Sequence, residues 1–243
     1  SSLKLHGMRD YNPIASNICR LTNESDSSTS KIYGIGYGSV IITNQHLFRQ
    51  NNGELIIQSR HGIFKCPNTT QLKLLPIDKH DLLLIRLPKD FPVFPRKIRF
   101  RNPMSADKIV MVGTNFQEKS SSSVVSESSS ISKVGSDGFY KHWISTIAGH
   151  CGNPLVSTKD GFVIGIHSLT AVSGDVNVFT SIPDHFEEKY LNKLDTYEWT
   201  KNWRLNVDKV NWDGIDLVKD TPQEPFKTNK VMSLLQDLTA EFQ

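Results

Sequence analysis

The sequence predicts a mainly β protein, two β-barrels in succession with a few short helices. Short runs of apolar and β-branched residues recur along the chain, separated by turn signals such as Asn51-Asn52-Gly53, Arg60-His61-Gly62 and Pro88-Lys89-Asp90. No helical pattern of ten or more residues appears before about residue 184. Between two such sets of runs lies Ser120–Ser132, with nine serines and no aromatic residue, which reads as a loop or edge hairpin.

Taken in order, residues 1–30 are polar around a short apolar piece, Ile14 to Leu21. Ile32-Tyr33-Gly34-Ile35-Gly36-Tyr37-Gly38-Ser39-Val40-Ile41-Ile42 reads as a strand pair with glycines at its bend. A phosphate-binding glycine loop would need a helix directly afterwards, and Val40-Ile41-Ile42-Thr43 is a strand pattern. Further strands are expected at Glu54–Gln58, Gly62–Lys65, Gln71–Leu75, Leu82–Leu87, Lys97–Arg99 and Lys108–Val112. A second set follows at Val124–Ser126, Gly138–Trp143, Leu155–Ser157, Phe162–His167 and Val176–Thr180. Helices are expected at Pro183–Leu191 and near Tyr197–Trp203. The expected organisation is a first barrel over 1–117, a second over 118–221, and a mobile, weakly amphipathic tail over 222–243.

The composition is that of an ordinary soluble globular protein, with 243 residues, 37% hydrophobic and 22% charged. A net charge of +3 is not the footprint of a dedicated nucleic-acid binder, although it leaves room for weak affinity for phosphate backbones. Cys19, Cys66 and Cys151 are odd in number and widely spaced, which argues against a disulfide framework or a metal cluster and fits a reducing compartment. No cofactor is expected. Neither a signal peptide nor an apolar span is recognisable, so the sequons at Asn23 and Asn68 read as chance matches and the protein as intracellular, without a membrane partner.

The chemistry centres on Gly149-His150-Cys151-Gly152-Asn153-Pro154, a tight turn that can present a thiol and aim successive N–H groups at one point. A hairpin after it, through Lys159-Asp160-Gly161, would return His167 close to Cys151. Alone, the motif equally suits a buried cysteine at a turn. His46 stands where a buried strand ends in polar residues, and Asp81 leads directly into the apolar Leu82-Leu83-Leu84-Ile85. Singly, these too read as a strand-end polar residue and a turn residue. Their order changes that reading, because histidine, aspartate and then nucleophile is the chain order of chymotrypsin-type enzymes. In such a site Cys151 attacks as thiolate, His46 moves the proton, and Asp81 orients the imidazole. Backbone N–H groups of Gly149, His150 and Cys151 would form the oxyanion hole. No Gly-x-Ser-x-Gly-like turn supports a serine hydrolase.

Several longer stretches then become recognisable. They include Arg9-Asp10-Tyr11-Asn12-Pro13-Ile14, Ile42-Thr43-Asn44-Gln45-His46-Leu47-Phe48, Lys141-His142-Trp143-Ile144, Gly165-Ile166-His167-Ser168 and Trp203-Arg204-Leu205-Asn206. The sequence resembles the nuclear inclusion protein a proteases of potyviruses. That resemblance implies a chymotrypsin-like fold and a cysteine endopeptidase that cuts a viral polyprotein after glutamine, in the cytoplasm and nucleus of a host cell. It implies a triad of His46, Asp81 and Cys151 and a glutamine pocket holding Thr146 and His167. It also implies that residues 168–178 pair with the substrate, with Ser168, Thr170, Gly174, Val176 and Val178 along its path. Departures fall at Ile147-Ala148, where the family usually has Lys-Asp, and at Gly174, Val176 and Val178, where a close relative has asparagine or tyrosine. They put the preferred residues upstream of glutamine in question. The competing function is an RNA-binding module on an inactive protease fold, using Arg96, Lys97, Arg99 and Arg101; without aromatic interleaving that set reads as a solvated face.

Overall fold

The computed structural model describes residues 9–24, 29–45, 54–67, 72–117, 120–134, 138–146, 151–170 and 177–192. A one-turn helix, Asn12–Ala15, precedes the first sheet. That sheet contains β1 Ile18–Glu24, β2 Thr29–Tyr37, β3 Val40–Thr43, β4 Glu54–Ser59, β5 Gly62–Cys66, β6 Lys73–Ile77 and β7 Leu82–Arg86, ordered β5-β4-β1-β2-β3-β7-β6. The second contains β8 Lys108–Phe116, β9 Ser121–Val125, β10 Ser129–Lys133, β11 Phe139–His142, β12 Pro154–Ser157, β13 Val163–Thr170 and β14 Asn177–Ser181. Its order is β10-β11-β14-β13-β12-β8-β9, and a further β10–β8 pairing closes six of these strands into a barrel. The mainly β architecture with few short helices is as expected.

Alternation explains why the central strands read as continuous apolar runs. On β8, Ile109 and Met111 join the cluster of Leu155, Ile164 and Phe179, while Val110 and Val112 join one that includes Ile35, Val40 and Leu84 of the first sheet. On β7, Leu83 and Ile85 pack with Leu21, Leu55 and Leu74, whereas Leu82 and Leu84 face Val156 and Ile166 of the second sheet. A strand buried on both faces needs apolar residues at every position. The same packing welds the two sheets into one unit and fixes the groups at their junction. No helix among the described residues is long and apolar enough to cross a membrane.

Several expectations are corrected. Ile18–Glu24 is a full strand at the centre of the first sheet, bonded to both β2 and β4. Lys97–Arg99 forms no strand; the Arg99 carbonyl and the Arg101 N–H bond Val163 in an isolated bridge at Phe100. The strand expected at Lys108–Val112 in the first set runs to Phe116 and pairs with β9, β10 and β12 of the second sheet. The serine-rich stretch makes two strands that pair with β8 at different heights, not a hairpin on itself. The helix expected at Pro183–Leu191 shrinks to a π-helical turn, Glu187–Leu191, closed by the Asn192 N–H on the Glu187 carbonyl at 2.6 Å. Asn23, the first residue of one sequon, is buried at 4% exposed. The helix expected near Tyr197–Trp203 and the tail from 222 lie outside the described residues.

Candidate active site

The junction of the two sheets collects the residues that carry chemistry. The β3–β7 ladder brings Thr43 opposite Leu83, and its next contact runs from the Gln45 N–H to the Asp81 carbonyl at 3.3 Å. Gln45, immediately before His46 in sequence, is thereby held against Asp81. His46 itself lies outside the described residues. Asp81 is fully buried, and a buried carboxylate is costly unless it is bonded. Its Oδ2 accepts a hydrogen bond from Asn44 Nδ2 at 3.2 Å, and its own N–H donates to Thr180 Oγ1 of β14 at 3.0 Å.

The same Asn44 amide reaches the second sheet, 3.2 Å from the His167 carbonyl oxygen and 3.3 Å from Ser168 Oγ. Asn44 thus ties the carboxylate of one sheet to the strand that carries His167. Asn44→Ala is expected to lower unfolding free energy by about 1.5–3 kcal/mol, the range for a hydrogen bond to a charged group. Chemical denaturation checks this, and an unchanged midpoint and slope would show that Asp81 does not need the bond.

Cys151 opens the turn before β12 and is 1% exposed. Its carbonyl accepts the Tyr33 N–H of β2 at 3.0 Å, and the Tyr33 carbonyl accepts Thr43 Oγ1 at 2.8 Å. Gly152 follows at φ +91°, where a Cβ would collide with the Tyr33 carbonyl oxygen, so only glycine fits. The hairpin expected after the cysteine forms. The Gly152 N–H donates to the His167 carbonyl and the His167 N–H to the Asn153 carbonyl, each at 2.9 Å. The thiol donates to the Ser168 carbonyl at 3.2 Å. The three cysteines are all buried. Burial pushes the Cys19 thiol up to about 12, which keeps it protonated and inert.

His167 is fully buried on β13, and its Nδ1 lies 3.2 Å from Nε2 of His142 on β11. His142 accepts the Ile144 N–H at Nδ1, 3.2 Å away, and Ile144 is fixed in turn by Asn177 Nδ2 on its carbonyl at 2.7 Å. Burial drives His142 down from an ordinary 6.5 to about 4, so the ring is neutral at physiological pH. A depressed histidine makes the unfolded chain bind more protons between those two values, so stability falls as pH drops through that window. The expected loss by pH 4 is about 3 kcal/mol. Comparing denaturation of the wild type and His142→Gln at pH 7 and pH 4.5 checks this, because only the wild type carries that share of the pH dependence.

Of the remaining expected substrate residues, Thr146 is half-buried in the segment after β11, Ser168 is fully buried, and Thr170 ends β13. Val178 of β14 stands between Lys141 and Leu169 and is buried. Ala148, Gly149, His150, Gly174 and Val176 lie outside the described residues. Asn44, Tyr33 and His142 were not singled out from sequence. Asn44 and His142 sit in quoted motifs, but nothing in the spacing reveals their partners. In the basic set, Arg99 bonds Glu187 at 3.1 Å and Arg101 clasps Asp107 and Asp160, each at 2.7 Å, so both serve the fold. Among the described residues no cluster of His, Cys, Asp and Glu could hold a metal ion.

Comparison with known proteins agrees with this geometry. The model of peptidase family C4 matches residues 2–233. The genome polyprotein of bean yellow mosaic virus is 65% identical over 240 residues, covering 99% of the chain and 8% of that polyprotein. That of turnip mosaic virus (strain Quebec) is 52% identical over 242 residues, with 100% and 8% covered. The chain therefore spans about a twelfth of the length of these relatives. The crystal structure of tobacco vein mottling virus protease superimposes with a TM-score of 0.82 at 47% identity, covering 90% of this chain and all of that one. Catalytically active tobacco etch virus protease, complexed with product, gives 0.78 at 52% identity, with 84% and 88% covered. An astrovirus serine protease at 18% identity and TM-score 0.51 shares only the chymotrypsin-like fold. With a family model matching residues 2–233 and polyprotein relatives 52% and 65% identical over nearly the whole chain, the chain belongs to peptidase family C4, the cysteine endopeptidases of potyviruses.

Proposed function

We propose that this endopeptidase cuts a viral polyprotein after glutamine, with Cys151 as nucleophile, His46 as general base and acid, and Asp81 as the carboxylate that orients His46. The supporting observation is the turn at Cys151 and Gly152, held by Tyr33 of one sheet and His167 of the other. The Cys151 sulfur lies 3.2 Å from the Ser168 carbonyl of β13, next to His167. Cys151 loses its proton to His46, and the thiolate attacks the carbonyl carbon. Backbone N–H groups of Gly149, His150 and Cys151 hold the oxyanion. The C–N bond breaks as His46 returns the proton to the leaving amine, leaving a thioester that water hydrolyses. Thr146 and His167 donate to the side-chain oxygen of the glutamine.

The test is acid-quenched mass spectrometry during turnover of a glutamine peptide. The upstream fragment should appear joined to the segment containing Cys151; an adduct on another residue would contradict the assignment. RNA binding is the weaker reading, because Arg101, one of its four cations, is clasped by Asp107 and Asp160.

The departures along the substrate path favour relaxed demand for polar residues upstream of glutamine. Alanine at 148, glycine at 174 and valine at 176 and 178 offer no side-chain hydrogen bonds. Each lost bond weakens selectivity by about 0.5–1.5 kcal/mol. In direct competition, a peptide with leucine five positions before the glutamine should be cleaved at least as well as one with glutamate there. A strong preference for glutamate would show that the lost polar groups do not matter.

A further inference from the structure

Building on the glutamine-pocket reading of His167, we infer that His142 is a positioning residue that fixes the tautomer of His167, leaving the His167 proton on Nε2 for an amide oxygen of the substrate. The two rings sit on β11 and β13, strands that flank β14 without pairing with each other. Their contact is nitrogen to nitrogen, His142 Nε2 to His167 Nδ1 at 3.2 Å, with centroids 5.3 Å apart and planes at 70°. In such a contact one nitrogen carries the proton and the other a lone pair. Either assignment would satisfy that pair alone.

The backbone decides between them. The Ile144 N–H is a donor only, and it meets Nδ1 of His142 at 3.2 Å. That nitrogen must therefore hold a lone pair. A neutral imidazole with a bare Nδ1 carries its proton on Nε2, and burial keeps His142 neutral. Nε2–H of His142 accordingly donates to Nδ1 of His167, so His167 in its neutral form is protonated on Nε2. Ile144 cannot easily turn away, since its side chain is 1% exposed and its carbonyl takes the Asn177 amide at 2.7 Å. A peptide N–H thus sets the proton position two rings away.

The relay also bears on which side chain the pocket selects. Protonating His167 would put an Nδ1–H against the Nε2–H of His142, so the contact favours the neutral ring. A neutral donor satisfies an amide oxygen but leaves a buried carboxylate without a compensating charge. His142 therefore contributes to choosing glutamine over glutamate.

The experiment is long-range ¹H–¹⁵N correlation of the imidazole rings in the ¹⁵N-labelled, substrate-free protein near pH 7.5, with parallel kinetics. Both His142 and His167 should show a protonated Nε2 and a bare Nδ1. His142→Phe should give His167 a mixture of tautomers and reduce both kcat/KM for a glutamine peptide and the glutamine-to-glutamate ratio about tenfold. His142→Gln, whose terminal amide can donate from a similar place, should restore most of both. A wild-type His167 protonated on Nδ1 would overturn the relay, and that spectrum needs no variant to fold. An unchanged tautomer and ratio in His142→Phe would overturn it as well. Since the tautomers are read without substrate, failure of the relay is separable from failure of the glutamine reading.

Discussion

Replacing Cys151 with alanine is expected to lower the cleavage rate by on the order of 10⁶ while leaving the fold in place. On the proposed mechanism the rate falls because the alanine methyl cannot form the thioester, which leaves His46 and Asp81 nothing to activate. The fold survives because the turn is held by backbone groups that the substitution keeps: the Cys151 carbonyl on Tyr33 and the Gly152 N–H on His167. The thiol contact with the Ser168 carbonyl is lost. Steady-state kinetics beside a thermal melt separates the two effects. Substantial turnover by a clean preparation of the variant would remove Cys151 from the nucleophile's role.

Exchanging glutamine for leucine at the cleaved position of a good peptide should cost roughly 10⁴–10⁵ in kcat/KM. Leucine has similar bulk but no oxygen to accept from His167 or Thr146. His167 is fully buried, so bulk water cannot stand in for the lost amide oxygen. A loss of only a few-fold would mean that the pocket recognises shape, and the roles of Thr146 and His167 would fall with it.

The sequence made some of this legible and hid the rest for physical reasons. Strands and turns were readable where β-branched runs meet glycine, as at Ile41-Ile42 and at Gly161. The hairpin that returns His167 to Cys151 was readable because its two strands are consecutive. Ile18–Glu24 was not, because Arg20, Thr22 and Asn23 break the apolar run although the strand lies between β2 and β4. Lys108–Val112 reads with the first set of strands because its nearby partners lie in the serine-rich stretch, which has no clear strand pattern, and its β12 partners lie 40 or more residues downstream. The junction residues failed for the same reason. Asn44 meets Ser168, and His142 meets His167, only after both sheets have formed.

The central claim is that this chain cuts after glutamine by means of Cys151, and mapping product termini tests it most directly. A peptide library is incubated with the wild type and with Cys151→Ala, and new C-termini are identified by mass spectrometry. The predicted result is that wild-type products end in glutamine and that the variant yields none above background. Products ending in varied residues, or the same products from both proteins, would contradict it.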